Sequence, residues 1–164
     1  MSVPDKYISR IKELYRQPTF KVAMEGKESS QIQQQTGIRQ GCPLSPYLFL
    51  IVMTWLFHDI HRNDQLKQKQ HRVLGMEASE VLYADDIICI TEDEAAMNRL
   101  LTKIEEEGKT YGLKLNKGKC EDISFGHPGP VFFANGTKVP VKHEVKYLGC
   151  NMNDRGDPGK EVNR

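Results

Sequence analysis

The apolar positions change period several times along the chain, and each change marks an expected element. Ile8, Ile11 and Leu14 or Tyr15 recur on one helical face, with Lys6, Arg10, Lys12 and Arg16 mostly elsewhere. A helix is therefore expected from Pro4, a residue suited to a first helical position, up to a stop at Pro18. Residues 19–24 alternate as a strand, Glu25-Gly26-Lys27 reads as a turn, and residues 29–35 as a polar return strand. Residues 36–46 hold two glycines, two prolines and a serine, the mark of a constrained loop. Ser45 as N-cap and Pro46 as first helical residue predict a helix over 46–60. Its residues 47–57 are apolar nearly all round, so it is expected to be the central buried helix.

Residues 63–72 are polar and read as a solvated loop or short helix. Residues 81–90 consist of two short apolar runs around Ala84-Asp85-Asp86, which predicts a buried β-hairpin bent at those three residues. Residues 91–94 have the form of a capping box, and Met97, Leu100, Leu101, Ile104 and Tyr111 keep helical period to Gly112, a fitting residue beyond a helix end. A turn into a short strand is expected at 112–116 and a strand at 123–125, with a break at 127–130. A hairpin is expected where 131–133 and 139–141 flank Asn135-Gly136, and a further strand over 145–150. Asp157-Pro158 reads as the start of another helix. No repeat and no linker interrupts the pattern, so one domain is expected over 1–164.

Charge changes the picture little. A formal charge of +1 carries no overall basic signature, so any nucleic-acid function must rest on local patches. Cys42, Cys89, Cys120 and Cys150 are dispersed and read as reduced thiols, neither a zinc site nor a disulfide frame. The first residues are no signal peptide, and the apolar run 47–57 is too short to cross a bilayer. An intracellular protein of nucleus or cytoplasm, with no membrane partner, is expected. His58 and His61 lie three apart at a helix end, which reads as complement to the helix dipole and not as a metal site.

The candidate chemistry lies at Asp85 and Asp86. Adjacent carboxylates in a turn are commonly just a solvated bend, because Asp is at home there. Two negative charges in a partly desolvated place repel, however, and a cation resolves that conflict. Hard oxygen ligands suit Mg²⁺, which takes one or two protein carboxylates together with substrate phosphates.

Order along the chain decides between these. Gly37-x-x-Gln40-Gly41-x-x-Leu44-Ser45-Pro46-x-Leu48-Phe49 leads into an apolar helix, and Tyr83-Ala84-Asp85-Asp86 follows. Gly112-Leu113-x-Leu115-Asn116-x-x-Lys119 and then Tyr147-Leu148-Gly149 complete the series. From about residue 4 to 152 this resembles the palm of reverse transcriptases (RNA-directed DNA polymerases) of the non-LTR retrotransposon and group II intron type. The resemblance implies an α/β (α+β) fold, a two-layer sandwich whose antiparallel sheet carries the Tyr-Ala-Asp-Asp hairpin and packs on helices. It implies RNA-templated DNA synthesis by two-metal nucleotidyl transfer, with Asp85 and Asp86 as Mg²⁺ ligands and Lys119 as the proton donor to pyrophosphate. Gln40, Gly41, Tyr83 and Ala84 correspond to the nucleotide- and template-binding positions, and Tyr147, Leu148 and Gly149 to the primer-binding strand. RNA template, DNA primer and dNTP are the implied partners.

The family carries a further metal-binding Asp on an earlier palm strand, and Asp5, at a helix start, does not match it. The chain is therefore expected to be a partial domain, a palm without fingers, first palm strand and thumb, inactive alone and working within a longer retroelement polypeptide. Two alternatives stay open: a non-catalytic remnant that binds nucleic acid or a partner protein, and an RNA-templated RNA polymerase palm, which Tyr83 and Ala84 in place of Gly-Asp-Asp disfavour.

Overall fold

The computed structural model describes residues 3–35, 37, 41–62, 71–73, 76–78, 80–126 and 129–156. Residues 1–46 and 47–164 form two compact units. Together they mix helices with antiparallel strands, an α/β composition. Among the described residues no helix is long and apolar enough to cross a membrane, and all four cysteines are free thiols.

In the first unit, α1 (Asp5–Leu14) has Pro4 at its cap position, with Asp5 in the first turn and Lys12 in the last. Both charges complement the helix dipole. The helix buries no residue, and only Ile11 is partly covered, so the expected apolar stripe is not sunk into a core. Its end is closed by the Tyr15 N–H donating to the Ile11 carbonyl at 3.2 Å.

Strands β1 (Thr19–Phe20), β2 (Ala23–Met24), β3 (Lys27–Glu28) and β4 (Ile32–Gln33) pair antiparallel, β1 with β4 and β2 with β3. The continuous strand expected over 19–24 is thus divided. At the division the Val22 N–H goes to the Ser29 hydroxyl at 3.0 Å, so a side chain interrupts the backbone ladder.

Helix α2 (Ser45–Arg62) begins at the boundary of the units. It is not buried all round, as its composition had led us to expect. Met53, Leu56, Phe57 and Ile60 face a core, whereas Tyr47, Leu50, Ile51 and Trp55 are exposed. Ser45 is buried, and its hydroxyl pairs with that of Tyr15 at 2.7 Å.

After α2 come β5 (His71–Val73) and β6 (Met76–Ala78), an antiparallel pair. His71 and Arg72 therefore lie on a strand, where a loop or short helix had been expected; residues 63–70 lie outside the described residues. Next are β7 (Glu80–Tyr83), β8 (Asp86–Cys89) and α3 (Glu94–Thr110). The cap of α3 is Asp93, whose carboxylate accepts from the Ala96 N–H at 2.7 Å, while the Thr91 hydroxyl donates to the Asp93 carbonyl. The box predicted at 91–94 is thereby replaced by a simple Asp cap.

A 3-10 turn at Lys117–Lys119 follows, and residues 112–116 and 123–125 form no strand, though Asp122 bridges Val141. Around Asn135-Gly136 the chain does turn back. The Phe133 N–H donates to the Thr137 carbonyl and the Gly136 N–H to the Phe133 carbonyl, each at 2.9 Å, and Phe132 bridges Lys138. That makes a three-residue loop, where the Asn-Gly pair had indicated a two-residue one. Finally β9 (Glu144–Tyr147) and β10 (Cys150–Asn153) form a hairpin, so the strand expected over 145–150 is broken at its middle. The predicted helix start at residues 157–158 lies outside the described residues.

Two apolar clusters hold this unit. The first joins Met53, Leu56, Phe57 and Ile60 of α2 to Leu100 and Ile104 of α3, with Leu82, Ile87 and Cys89 of β7 and β8 packed against it. Leu56, Ile60 and Leu100 are fully buried; each such side chain contributes about 1.5–3 kcal/mol. The second cluster is Val131, Phe133 and Val139, with Met97 and Leu101 from the neighbouring stripe of α3. Helix α3 thus serves two cores from adjacent faces. All strands named here pair in twos, giving five two-stranded antiparallel sheets among the described residues.

Candidate active site

The β7–β8 register sets what its tip presents. Leu82 pairs with Ile87 and Glu80 with Cys89, while Val81 pairs with Ile88 and Tyr83 with Asp86. Successive pairs point to opposite faces. Leu82, Ile87 and Cys89 lie against the first core, which leaves Tyr83 and Asp86 as neighbours on the other face. Asp86 is thus a strand residue, and the loop is Ala84-Asp85 alone. Ala84 adopts φ 52°, a left-handed conformation that costs a residue with a Cβ about 1–2 kcal/mol. Tyr83, Ala84, Asp85 and Asp86 are all exposed, so the tip is not buried as expected. Only its inner face is covered.

The second hairpin has a related tip. Tyr147 pairs with Cys150 across a loop of Leu148 and Gly149, at φ 49° and φ 89°. Positive φ at both central residues defines the type I′ turn, for which glycine is the natural choice. The Tyr147 hydroxyl is buried with no hydrogen-bond partner. Burial raises its pKa first, and the negative charge of Asp86 raises it further.

Lys119 makes no described contact with either hairpin tip. It ends the 3-10 turn, is exposed, and takes part in none of the described ion pairs. Its neighbour Lys117 is committed, at 2.6 Å from Glu105 and 5.0 Å from the centre of the Phe133 ring. Cys120, next along, influences Cys89, whose thiol is pushed up to about 12 by burial first, then by Glu80 and Cys120. Cys89 lies three residues along β8 from Asp86, about 10 Å at strand rise. The structure does not bring Lys119 to Asp85 or Asp86 through any described contact.

Gln40 lies outside the described residues. Gly41 has φ 79°, and a Cβ added there would meet nothing within 4 Å. Its glycine is thus required by backbone conformation and not by a close protein neighbour.

His58 and His61 make separate contacts. His58 lies 3.4 Å from Asp59 and edge-on to Trp55, whereas His61 Nε2 lies 3.0 and 3.1 Å from the two carboxylate oxygens of Glu80. His61 thereby ties the end of α2 to the base of β7. Nothing in the sequence marked this contact, because the partners are far apart and Glu80 looks like any polar residue ahead of a strand. Among the described residues no three His, Cys, Asp or Glu side chains gather into a metal-binding group. Asp85 and Asp86 do provide two solvent-facing carboxylates anchored by a paired strand, a donor set suited to a hard divalent ion that completes its shell with water or phosphate.

Comparison with known proteins follows the same stretch of chain. The family of reverse transcriptases (RNA-dependent DNA polymerases) matches residues 1–152. The RNA-directed DNA polymerase from mobile element jockey of Drosophila funebris is 30% identical over 153 residues, covering 85% of this chain. A Pol polyprotein from the type-2 retrotransposable element R2DM of Drosophila melanogaster is 26% identical over 93% of the chain, and one from a type-1 R2 element of Nasonia vitripennis is 23% identical over 92%. The chain spans 15% of the length of each of these curated relatives.

Proposed function

This chain belongs to the reverse transcriptase (RNA-dependent DNA polymerase) family, and from that premise we propose that it forms the palm of a retroelement polymerase that copies an RNA template onto a DNA primer. In this reading the two hairpins and the helices beneath them belong to one palm-like, two-layer arrangement. The observation that carries it is the pair of exposed carboxylates, Asp85 and Asp86, at the tip of the β7–β8 hairpin.

Asp85 and Asp86 hold divalent metal, Mg²⁺ in the cell. When bound, the ions stabilise the attacking 3′-oxygen and the leaving oxygen of an in-line displacement. Tyr83 and Ala84 bear on the incoming nucleotide and template, the role that the family resemblance also gives to Gln40 and Gly41. The loop Leu148-Gly149, with Tyr147, supports the primer end through its backbone. Lys119 carries the proton for departing pyrophosphate; the side chain is exposed and outside the described ion pairs, so it is available for that duty. RNA template, DNA primer and dNTP are the substrates, and a longer polypeptide of the retroelement is the working context.

The test is metal binding by the 164-residue chain with a primed RNA template, using Mn²⁺ followed by electron paramagnetic resonance. Asp85→Asn is expected to weaken Mn²⁺ binding strongly while leaving the circular dichroism spectrum unchanged. Equal Mn²⁺ affinity in the variant and the parent chain would remove the metal role. Template–primer retained by both proteins with no Asp85-dependent Mn²⁺ binding would favour a nucleic-acid-binding protein without catalysis.

A further inference from the structure

The hydroxyls of Tyr15 and Ser45 lie 2.7 Å apart, across 30 residues of sequence. Tyr15 closes α1, and Ser45 is the first residue of α2. Ser45 is 4% exposed, the one buried polar residue among those described. Buried hydroxyls are kept with a partner. Phenylalanine at position 15 would supply the same ring and no such partner.

A second bond closes the chain at nearly the same place. The Gln34 N–H donates to the Pro18 carbonyl at 2.7 Å, next to the β1–β4 ladder. Tyr15 and Pro18 are separated by at most about 11 Å of chain. The stretch 35–44 therefore leaves from one end of this short segment and returns to the other, the closed path of an Ω-loop. Residues 35, 37 and 41–44 of it are described. At its departure the Gln34 side chain donates to the Gly37 carbonyl at 3.2 Å. At its return Gly41 has φ 79°, and Pro43 and Pro46 stand on either side of Ser45. Each proline fixes its own φ and restricts the residue before it. With so few free torsions between Gly41 and Ser45, whatever holds Ser45 also sets where the Gly41 backbone lies.

We propose that Tyr15 is a positioning residue for nucleotide binding: its hydrogen bond to Ser45 holds the returning arm of this loop, and with it the Gly41 backbone, against the end of α1. This rests on the reading of Gly41 as a contact of the incoming nucleoside triphosphate. Tyr15 itself touches no substrate. The bond orders the loop before the ligand arrives, so that ordering it does not weaken binding.

Tyr15→Phe in the full 164-residue chain removes the oxygen and keeps the ring. The probe is a fluorescent deoxynucleoside triphosphate, titrated by anisotropy in the presence of Mn²⁺ and a primed RNA template. The expected result is a nucleotide dissociation constant about 2- to 10-fold weaker, the factor one net hydrogen bond is worth. Template–primer affinity should not change. Hydrogen exchange at the Gly41, Cys42 and Leu44 amides should quicken, while the β1 and β4 amides exchange as in the parent. Adding Ser45→Ala to Tyr15→Phe removes the buried oxygen deprived of its Tyr15 partner, so the melting temperature should recover in part. Nucleotide affinity should not recover with it. A Tyr15→Phe chain that binds nucleotide as the parent does, or that exchanges those loop amides at the parent rate, overturns the inference. Affinity that returns together with the melting temperature in the double variant marks a purely structural bond and also overturns it. Gly41→Ala, strained at that φ, separates the two readings. If it leaves nucleotide binding untouched, or if the parent binds no nucleotide, the reading of Gly41 fails first and this inference with it. If Gly41→Ala weakens binding and Tyr15→Phe does not, the inference fails alone.

Discussion

The hydroxyl of Tyr111 donates a hydrogen bond to the carboxylate of Asp59, joining the end of α3 to the last turns of α2. The bond holds the Asp59 carboxyl below the usual range, with His58 helping, and holds the Tyr111 phenol above it. A depressed carboxyl gives stability that is present above its unfolded pKa, about 3.9, and lost as pH falls through the lower folded value. A raised phenol gives stability that is present below its unfolded pKa, about 10, and lost as pH rises through the higher folded value. Tyr111→Phe is therefore expected to lower the melting temperature across the neutral range and to converge with the parent chain at strongly acid pH. Thermal unfolding by circular dichroism as a function of pH checks this; a constant offset down to the acid limit would mean that the bond is not the cause.

The two faces of α2 offer a matched comparison. Ile60 is fully buried and Ile51 is 53% exposed. Ile60→Ala is expected to destabilise by about 2–5 kcal/mol through lost transfer energy and the cavity left behind. Ile51→Ala should stay within about 0.5 kcal/mol of the parent, since surface changes usually do and Ala favours helix. Urea unfolding of both variants measures the contrast. Equal losses would show that the outer face is covered in solution.

That contrast also marks what the sequence could tell. The period of residues 97–111 located α3 and its inner positions, because an amphipathic helix writes its buried face into its spacing. Residues 47–57 carry no such imbalance, so their pattern could not say which side lies open. Hairpins were legible wherever a short loop separated two apolar runs, as at Ala84-Asp85. They were missed where the loop residues themselves looked like strand, as at Leu148-Gly149 between Tyr147 and Cys150. The candidate carboxylates were legible because two acids interrupt an apolar pattern. The orphan hydroxyl of Tyr147 and the His61–Glu80 contact depend on which elements lie side by side, and local spacing does not encode that.

The loop at the candidate site invites a conformational test. Ala84 holds φ 52° with a Cβ present. Ala84→Gly relieves that strain but adds freedom to the unfolded chain, so stability should change by less than about 1 kcal/mol. Ala84→Val places a β-branched side chain in the left-handed region, which such residues rarely enter. It should destabilise by about 1–2 kcal/mol or more. Chemical denaturation of the two variants decides; a neutral Ala84→Val would mean the loop has another accessible conformation.

Cys42 should be a reactive thiol of this protein at neutral pH. Its pKa is lowered to about 7, chiefly by the Ser45 hydroxyl, then by the backbone N–H groups of Leu44 and Ser45, with Tyr15 adding a little. Each of these donors favours the thiolate, which is the nucleophilic form. Cys89 is held up to about 12 by burial first and then by Glu80, and burial also raises Cys120. With iodoacetamide followed by peptide mapping, alkylation of Cys42 is expected to rise with pH to a midpoint at about 7 and then level off. Cys89 in the folded chain should stay unmodified over the same range. Ser45→Ala removes the leading donor and should move the Cys42 midpoint up toward the ordinary thiol value of about 8.5. A Cys42 midpoint that already lies there in the parent chain, or that ignores Ser45→Ala, would show that the Ser45 hydroxyl does not hold the thiolate.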